Sequence, residues 1–253
     1  MKIYNAFGIK PTNTHVSAGS DYYIPNIKTE KQKKLAIEAF QKSYNVSKED
    51  IDRMIDFIDS YIDSNNGQIN IVHLYLAYHN AKLEMMKEAS IIKGLKYFID
   101  NFLIYDGDKD VWGIEPQLND TLFINSGIKI ALDTVLEDNS IGPRTKDAID
   151  MIRLLNIGVA GLYVNKSGMG NKGYDVRACL VDEDYAGYVH LSMAFTKDTE
   201  KNKNIYCGDK LTQMMLIPIF HTEYVEVNEV EYEKIMSNSN RGDAGFGSSD
   251  VKH

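Results

Sequence analysis

LFINSGIKIAL, residues 122–132, carries Leu122, Ile124, Ile128, Ile130 and Leu132 at alternate positions interrupted once by Ser126, with Asn125, Gly127 and Lys129 among the residues between them. A period of two is the pattern of a strand with one buried face. The same reading extends to GLYVN (161–165), VRACLVD (176–182), GYVHLSMAF (187–195), LTQMMLIPIF (211–220) and EYVEV (223–227). Gly, Asn and Asp punctuate the runs. Many short strands with such turns predict an antiparallel sandwich or barrel. KIYNAF (2–7) and SDYYIP (20–25) add strand material near the N-terminus.

Between these two sets of strands the period changes. Residues 30–105 read as helical. Ser47 and Asp50 stand at capping-box spacing, and Ile51, Met54, Ile55, Ile58, Tyr61 and Ile62 recur at i, i+3, i+4. NNGQ, residues 65–68, breaks the pattern, and the apolar stretch after it has length for two more helices. His73 and His79 are six apart and do not share a helix face, which argues against a metal site there. GPRTKDAIDMIRLLNIG, residues 142–158, reads as one more helix. The expected organisation is a mainly β domain over 1–27 and 120–253, an inserted α-helical domain over 28–119, and a short helical insertion at 142–158.

Composition narrows the function classes. A formal net charge of -8 argues against a protein that coats nucleic acid, because such binding needs clustered Lys and Arg. No apolar run approaches a membrane span, and MKIYNAFGIK lacks the apolar core of a secretory signal. Cys179 and Cys207 show neither metal-site nor disulfide-framework spacing, so a reducing, cytoplasmic setting is expected. The tail RGDAGFGSSDVKH, residues 241–253, sets one ring, Phe246, between two glycines, behind the forked cation of Arg241. A Gly- and Ser-rich end of this kind reads on composition as a frayed terminus, and its ring and cation also suit a strip closing over a phosphate-bearing, stackable ligand.

Five stretches, in order, resemble the motifs of the trimeric dUTPase family. SAGSDYYIP (17–25) resembles Ala-Gly-Tyr-Asp-Leu through Ala18, Gly19 and Asp21. NKSGMGNKG (165–173) resembles Pro-Arg-Ser-Gly, with Lys166 in place of Arg. LVDEDYAGYV (180–189) matches the third motif at Asp182, Asp184, Tyr185 and Gly187. GDKLTQMMLIP (208–218) resembles Gly-Asp-Arg-Ile-Ala-Gln-Leu through Gly208, Asp209 and Gln213, and RGDAGFGSSD (241–250) resembles the glycine-rich C-terminal motif.

The resemblance implies a dUTPase-like β-barrel or jelly-roll that hydrolyses dUTP to dUMP and pyrophosphate. By it, Asp182 activates the attacking water and Tyr185 packs under the deoxyribose. Lys166, Ser167, Gly168 and Gln213 contact phosphate, and Arg241, Phe246, Gly247 and Ser248 close over the nucleotide. Mg²⁺ is implied mainly on substrate phosphates and water, with Asp21 assigned to it. A homotrimer is implied, in which the third motif and the tail reach a site from neighbouring subunits. Cys179 stands where the family often has Gly, which opens a reading with another deoxynucleoside triphosphate, although a side chain turned into the core is the expectation. The related dCTP deaminases are disfavoured, since their Gln-Pro-x-Ser-x-Asp start is missing. A different class of reading makes the helical insertion a protein-binding module switched by nucleotide. The Lys-, Ile- and Asn-rich composition suits a phage or bacterial source.

Overall fold

In the computed structural model, which describes residues 1–13, 19–62, 67–79, 91–132, 154–198 and 203–237, the alternating stretches form antiparallel sheets. The quoted stretch becomes β5 (Thr121–Ala131), central to a four-stranded sheet. It pairs on one side with β1 (Lys2–Asn5) and on the other with β9 (Tyr188–Phe195), which in turn pairs with β7 (Tyr174–Ala178). The Asn125-Ser126-Gly127 interruption is a register shift in the pairing with β9. There the Asn125 side chain accepts the Gly127 amide, 2.9 Å, and Gly127 takes a positive φ of 71°.

A second four-stranded sheet runs in the order β2 (Ser20–Tyr23), β11 (Lys210–Phe220), β6 (Ile157–Asn165) and β8 (Leu180–Val181). β3 (Leu103–Asp106), β4 (Val111–Ile114) and β10 (Ile205–Tyr206) form a small third sheet. Residues 103–105, read as the end of the helical block, are therefore strand. A three-residue apolar run is too short for periodicity to separate the two states, and the Gly107 turn folds it back on β4. VRACLVD divides into β7 and β8 at Cys179. EYVEV forms no strand: its alternation finds no partner, and Asn228 instead caps a helix, α6 (Glu229–Met236). Ile157 and Gly158, expected to end a helix, open β6; residues 142–153 of that expected insertion lie outside the described residues.

The helical block begins where its caps put it. α1 (Glu30–Tyr44) opens on a Thr29–Gln32 capping box and ends on Asn45 in the left-handed region, φ 50°. α2 (Lys48–Tyr61) starts at Ser47, whose hydroxyl accepts the Asp50 amide at 3.0 Å. Of its periodic apolar residues, Ile51, Met54 and Ile58 are buried, whereas Tyr61 is exposed. α3 (Gln68–His79) is apolar all round and buried from Ile69 to Tyr78, and α4 (Ile91–Asn101) follows. A helix without a polar face must be covered on every side. α3 lies against β5, and helices and strands contribute to one apolar core.

The seam has named parts. His73 of α3 stacks on Phe40 of α1, centroids 5.1 Å apart, and meets Phe7 edge-on. The Tyr44 hydroxyl donates to the Phe123 carbonyl of β5 at 3.0 Å and accepts the Asn125 amide at 2.9 Å. Inserted in sequence, the helices are thus packed into one compact unit, Met1–Phe220, with the sheets; His221–His253 form a second unit. Among the described residues no helix is long and apolar enough to cross a membrane.

Candidate functional site

Strand register brings together residues that lie far apart in sequence. β2 pairs with β11 so that Asp21 faces Gln213. The strands come close enough at Gly19 that a Cβ there would stand 2.7 Å from the Met214 carbonyl oxygen. On its other side β11 pairs with β6, whose last residue, Asn165, faces Thr212 and leads into Lys166. Lys166 Nζ donates to Asp21 Oδ1 at 2.9 Å, and Gln213 Nε2 donates to the same oxygen at 3.1 Å. Lys210 Nζ lies 2.9 Å from the other oxygen, Oδ2. Asp21, Lys166 and Gln213 were each singled out in the sequence; Lys210 was not. The signal was its place in GDKLTQ, where the resembling motif has Arg.

Burial alone would push the Asp21 carboxyl up. The hydrogen bonds from Lys166, Lys210 and Gln213 outweigh it and hold the group down at about 2. Asp21 is therefore a carboxylate at any physiological pH, and the same bond raises the Lys210 ammonium above its ordinary value.

Ser167 and Gly168 open a one-turn helix, α5 (Ser167–Asn171), and both are exposed. A Cβ on Gly168 would meet nothing within 4 Å, so the described packing does not require glycine there. A bare backbone at an open position does permit close approach of something else. Gly168 lines a shallow cleft of about 210 Å³ with Lys166, Met169, Lys172, Asp209 and Lys210.

The third stretch is built as a tight reversal after β8. The Tyr185 amide donates to the Asp182 carbonyl at 3.2 Å, and its hydroxyl donates to the Tyr188 carbonyl at 2.8 Å. This folds the ring over Gly187, where a Cβ would lie 2.4 Å from Tyr185 Oη. Partial burial raises the Tyr185 hydroxyl above its ordinary value. Asp182 and Asp184 project as exposed carboxylates, while Glu183 turns back to accept the Val159 amide at 3.1 Å.

Within one chain these two groups do not meet. β8 and β2 are the opposite edges of their sheet, three strand spacings or roughly 14 Å apart. The first, second and fourth stretches converge; the third stands across the sheet. Arg241, Phe246, Gly247 and Ser248 lie outside the described residues. Cys179 is exposed, contrary to the expectation that it turns into the core, because it sits in the break between β7 and β8. The buried thiol is Cys207, which burial and the neighbouring Asp209 push up to about 12. Among the described residues no three His, Cys, Asp or Glu side chains gather as a metal cage, and Asp21 directs both oxygens at cations.

Residues 133–250 match the dUTPase family model. The deoxyuridine 5'-triphosphate nucleotidohydrolase of Vaccinia virus (strain Copenhagen) is 29% identical over 92 residues, covering 36% of this chain and 57% of the viral protein. That of Variola virus is 28% identical over the same shares. The chain thus spans a little over half the length of the curated relatives it matches. Among solved structures, a Staphylococcus bacteriophage 80alpha dUTPase with dUPNHPP is similar over 60% of this chain and 92% of its own, at 17% identity and a TM-score of 0.38. A dUTPase from phage phi11 of S. aureus is similar over 45% and 75%, at 14% and 0.31.

Proposed function

Because residues 133–250 carry the dUTPase family pattern, we propose that this chain hydrolyses dUTP to dUMP and pyrophosphate. The observation that carries the reading is the convergence of Asp21, Lys166 and Gln213, from stretches 145 and 192 residues apart, beside an open Gly168. The second and fourth stretches line one cleft through Lys166, Gly168, Asp209 and Lys210, and Asp21 of the first bonds both of those lysines.

In the proposed reaction a water oxygen attacks the α-phosphorus as its proton passes to Asp182. The bond from that phosphorus to the oxygen bridging to the β-phosphorus breaks, and pyrophosphate departs with that oxygen. Asp182 is exposed in the turn after β8, and an exposed carboxylate is assigned the role of the base that meets the water. Lys166 keeps donors beyond the one given to Asp21, as does the Gln213 amide, and these are assigned to phosphate oxygens with the Ser167 hydroxyl and the Gly168 amide. Tyr185, pinned by its hydroxyl and by Gly187 beneath it, offers a flat face to the sugar. Arg241, Phe246, Gly247 and Ser248 are assigned to closing the site. Described protein groups do not form a metal cage, so Mg²⁺ is assigned to the triphosphate itself, where it offsets charge.

The distance between Asp182 and the Asp21 cluster supports a site completed by another copy, and a homotrimer is the assembly proposed. Exposed Leu180, Leu216 and Phe220 on the same sheet are apolar surface that such an assembly would cover. Exposed Cys179, adjoining the third stretch, keeps one second reading in play: the same reaction on another deoxynucleoside triphosphate. Asp182→Asn tests the chemistry, since Asn can hold a water but cannot take its proton. Turnover should fall by about 10²–10⁴-fold with nucleotide binding retained; near-normal hydrolysis would remove Asp182 from its role.

A further inference from the structure

Lys210 and Asp21 form a pair that the reaction above does not use. One carboxylate holds two ammonium groups from distant parts of the chain, one on each oxygen, at 2.9 Å in both cases. The geometry is asymmetric in a telling way. Asp21 is nearly buried and shares Oδ1 with Gln213, so its orientation is fixed by the sheet. Lys210 is about half exposed and lines the same cleft as Lys166, Gly168 and Lys172. The Tyr23 ring lies 5.7 Å from its ammonium on the side of β2.

We propose that Lys210 is a further phosphate-binding residue of this site, and that Asp21 is the positioning residue holding Lys210 and Lys166 as a pair. The inference rests on the phosphate-site reading given above. Lysine is a point charge on a flexible stem, unlike the rigid fork of arginine, and loses much rotamer freedom when it binds. A shared carboxylate fixes both ammonium groups beforehand and leaves each with donors to spare. The charge balance of the cleft supports an anionic ligand. Lys166, Lys172 and Lys210 line it with a single carboxylate, Asp209, while Asp21 holds two of the lysines from behind the lining. Asp209 is turned to its own loop, accepting the Tyr206 amide at 2.9 Å, and Lys172 gives one bond to the Asn204 carbonyl.

The two roles for Asp21 predict opposite signs. If Asp21 were only a negative charge beside the cleft, Asp21→Asn would tighten binding of a polyanion. As an anchor for two lysines, its loss weakens it. Calorimetric titration of the full chain with inorganic tripolyphosphate measures this without requiring any turnover. Lys210→Met should raise the tripolyphosphate Kd by about tenfold and Lys210→Arg should return it to within about threefold. Asp21→Asn should raise it by about three- to tenfold, with an unchanged thermal midpoint in the exposed Lys210 variants as the folding control. For dUTP the same Lys210→Met change should raise KM more than it lowers kcat. An unchanged Kd in Lys210→Met, tighter binding in Asp21→Asn, or no tripolyphosphate binding by the unmutated chain would overturn the proposal. Should the binding pattern hold while no pyrophosphate is released from dUTP, the hydrolase reading fails and this assignment stands.

Discussion

Removing one oxygen atom from the seam between helices and sheet tests whether the helical block is part of the structural core. The Tyr44 hydroxyl bonds two backbone groups of β5, the Phe123 carbonyl and the Asn125 amide. Tyr44→Phe keeps the ring, which packs 5.9 Å from Phe40 and 6.1 Å from His190, and leaves both groups without that partner. An orphaned buried polar group costs about 1–3 kcal/mol. With partial relief at the half-buried carbonyl, the loss should be about 2–4 kcal/mol in total. That is a large part of the usual 5–15 kcal/mol of a folded domain, and corresponds to a fall of about 5–10 °C in melting temperature for a unit of this size. Urea unfolding followed by circular dichroism would measure it, with an unchanged m-value expected. Tyr61→Phe is the matched control. Its exposed hydroxyl bonds Asp100 and Lys96 at the surface, where such contacts contribute less than about 1 kcal/mol. If Tyr44→Phe cost no more than Tyr61→Phe, the helices would not be anchored to β5 as described.

Acidification should act at the same seam. Burial, with His190 as a like-charged neighbour, lowers His73 to about 3, and burial lowers His190 to about 4. Because the unfolded chain binds these protons first, near pH 6.5, stability is at its full value above that pH and declines as pH falls towards 4 and then 3. Melting temperature should therefore be several degrees lower at pH 5 than at pH 7.5, and His73→Phe should reduce that difference; a pH-independent melting temperature would refute it. Asp21, lowered to about 2, adds stability lost only below about pH 4. Mixing inactive Asp182→Asn with inactive Lys166→Met under subunit exchange should restore part of the turnover, since some sites then draw intact halves from different chains. A mixture as inactive as its components would place the whole site within one chain.

How much of this was legible depended on whether the signal was local. β5 and β11 alternate in burial over part of their length, so their period stands in the sequence, and Ser47 and Asp50 marked the start of α2 because a cap is a contact three residues long. Residues 103–105 were misread because so short a run has no period. EYVEV alternates without a neighbouring strand to pair with, which no local pattern reveals. The integration of the helices was equally hidden. It rests on contacts such as Tyr44 to Phe123 and Asn125, about eighty residues away. In the site, Asp21, Lys166, Gln213 and Asp182 were each visible as motif residues. Their division into a converged cluster and a separate hairpin was implied only by the family resemblance; no local pattern carries it, because it depends on the strand order β2-β11-β6-β8. Lys210 escaped because a surface lysine next to a turn is ordinary until the carboxylate opposite it is known.

The hydrolase reading stands or falls on product analysis with the unmutated chain. Incubated with Mg²⁺ and, separately, dUTP, dCTP, dTTP, dATP, dGTP and UTP, it should release pyrophosphate from dUTP in amounts equal to dUMP. Little should be released from the other five, and no inorganic phosphate from any. Pyrophosphate from a different deoxynucleotide in preference to dUTP would move the substrate assignment to the exposed Cys179 and its surroundings. Inorganic phosphate in place of pyrophosphate, or no product from any of the six, would contradict attack at the α-phosphorus and with it the proposed function.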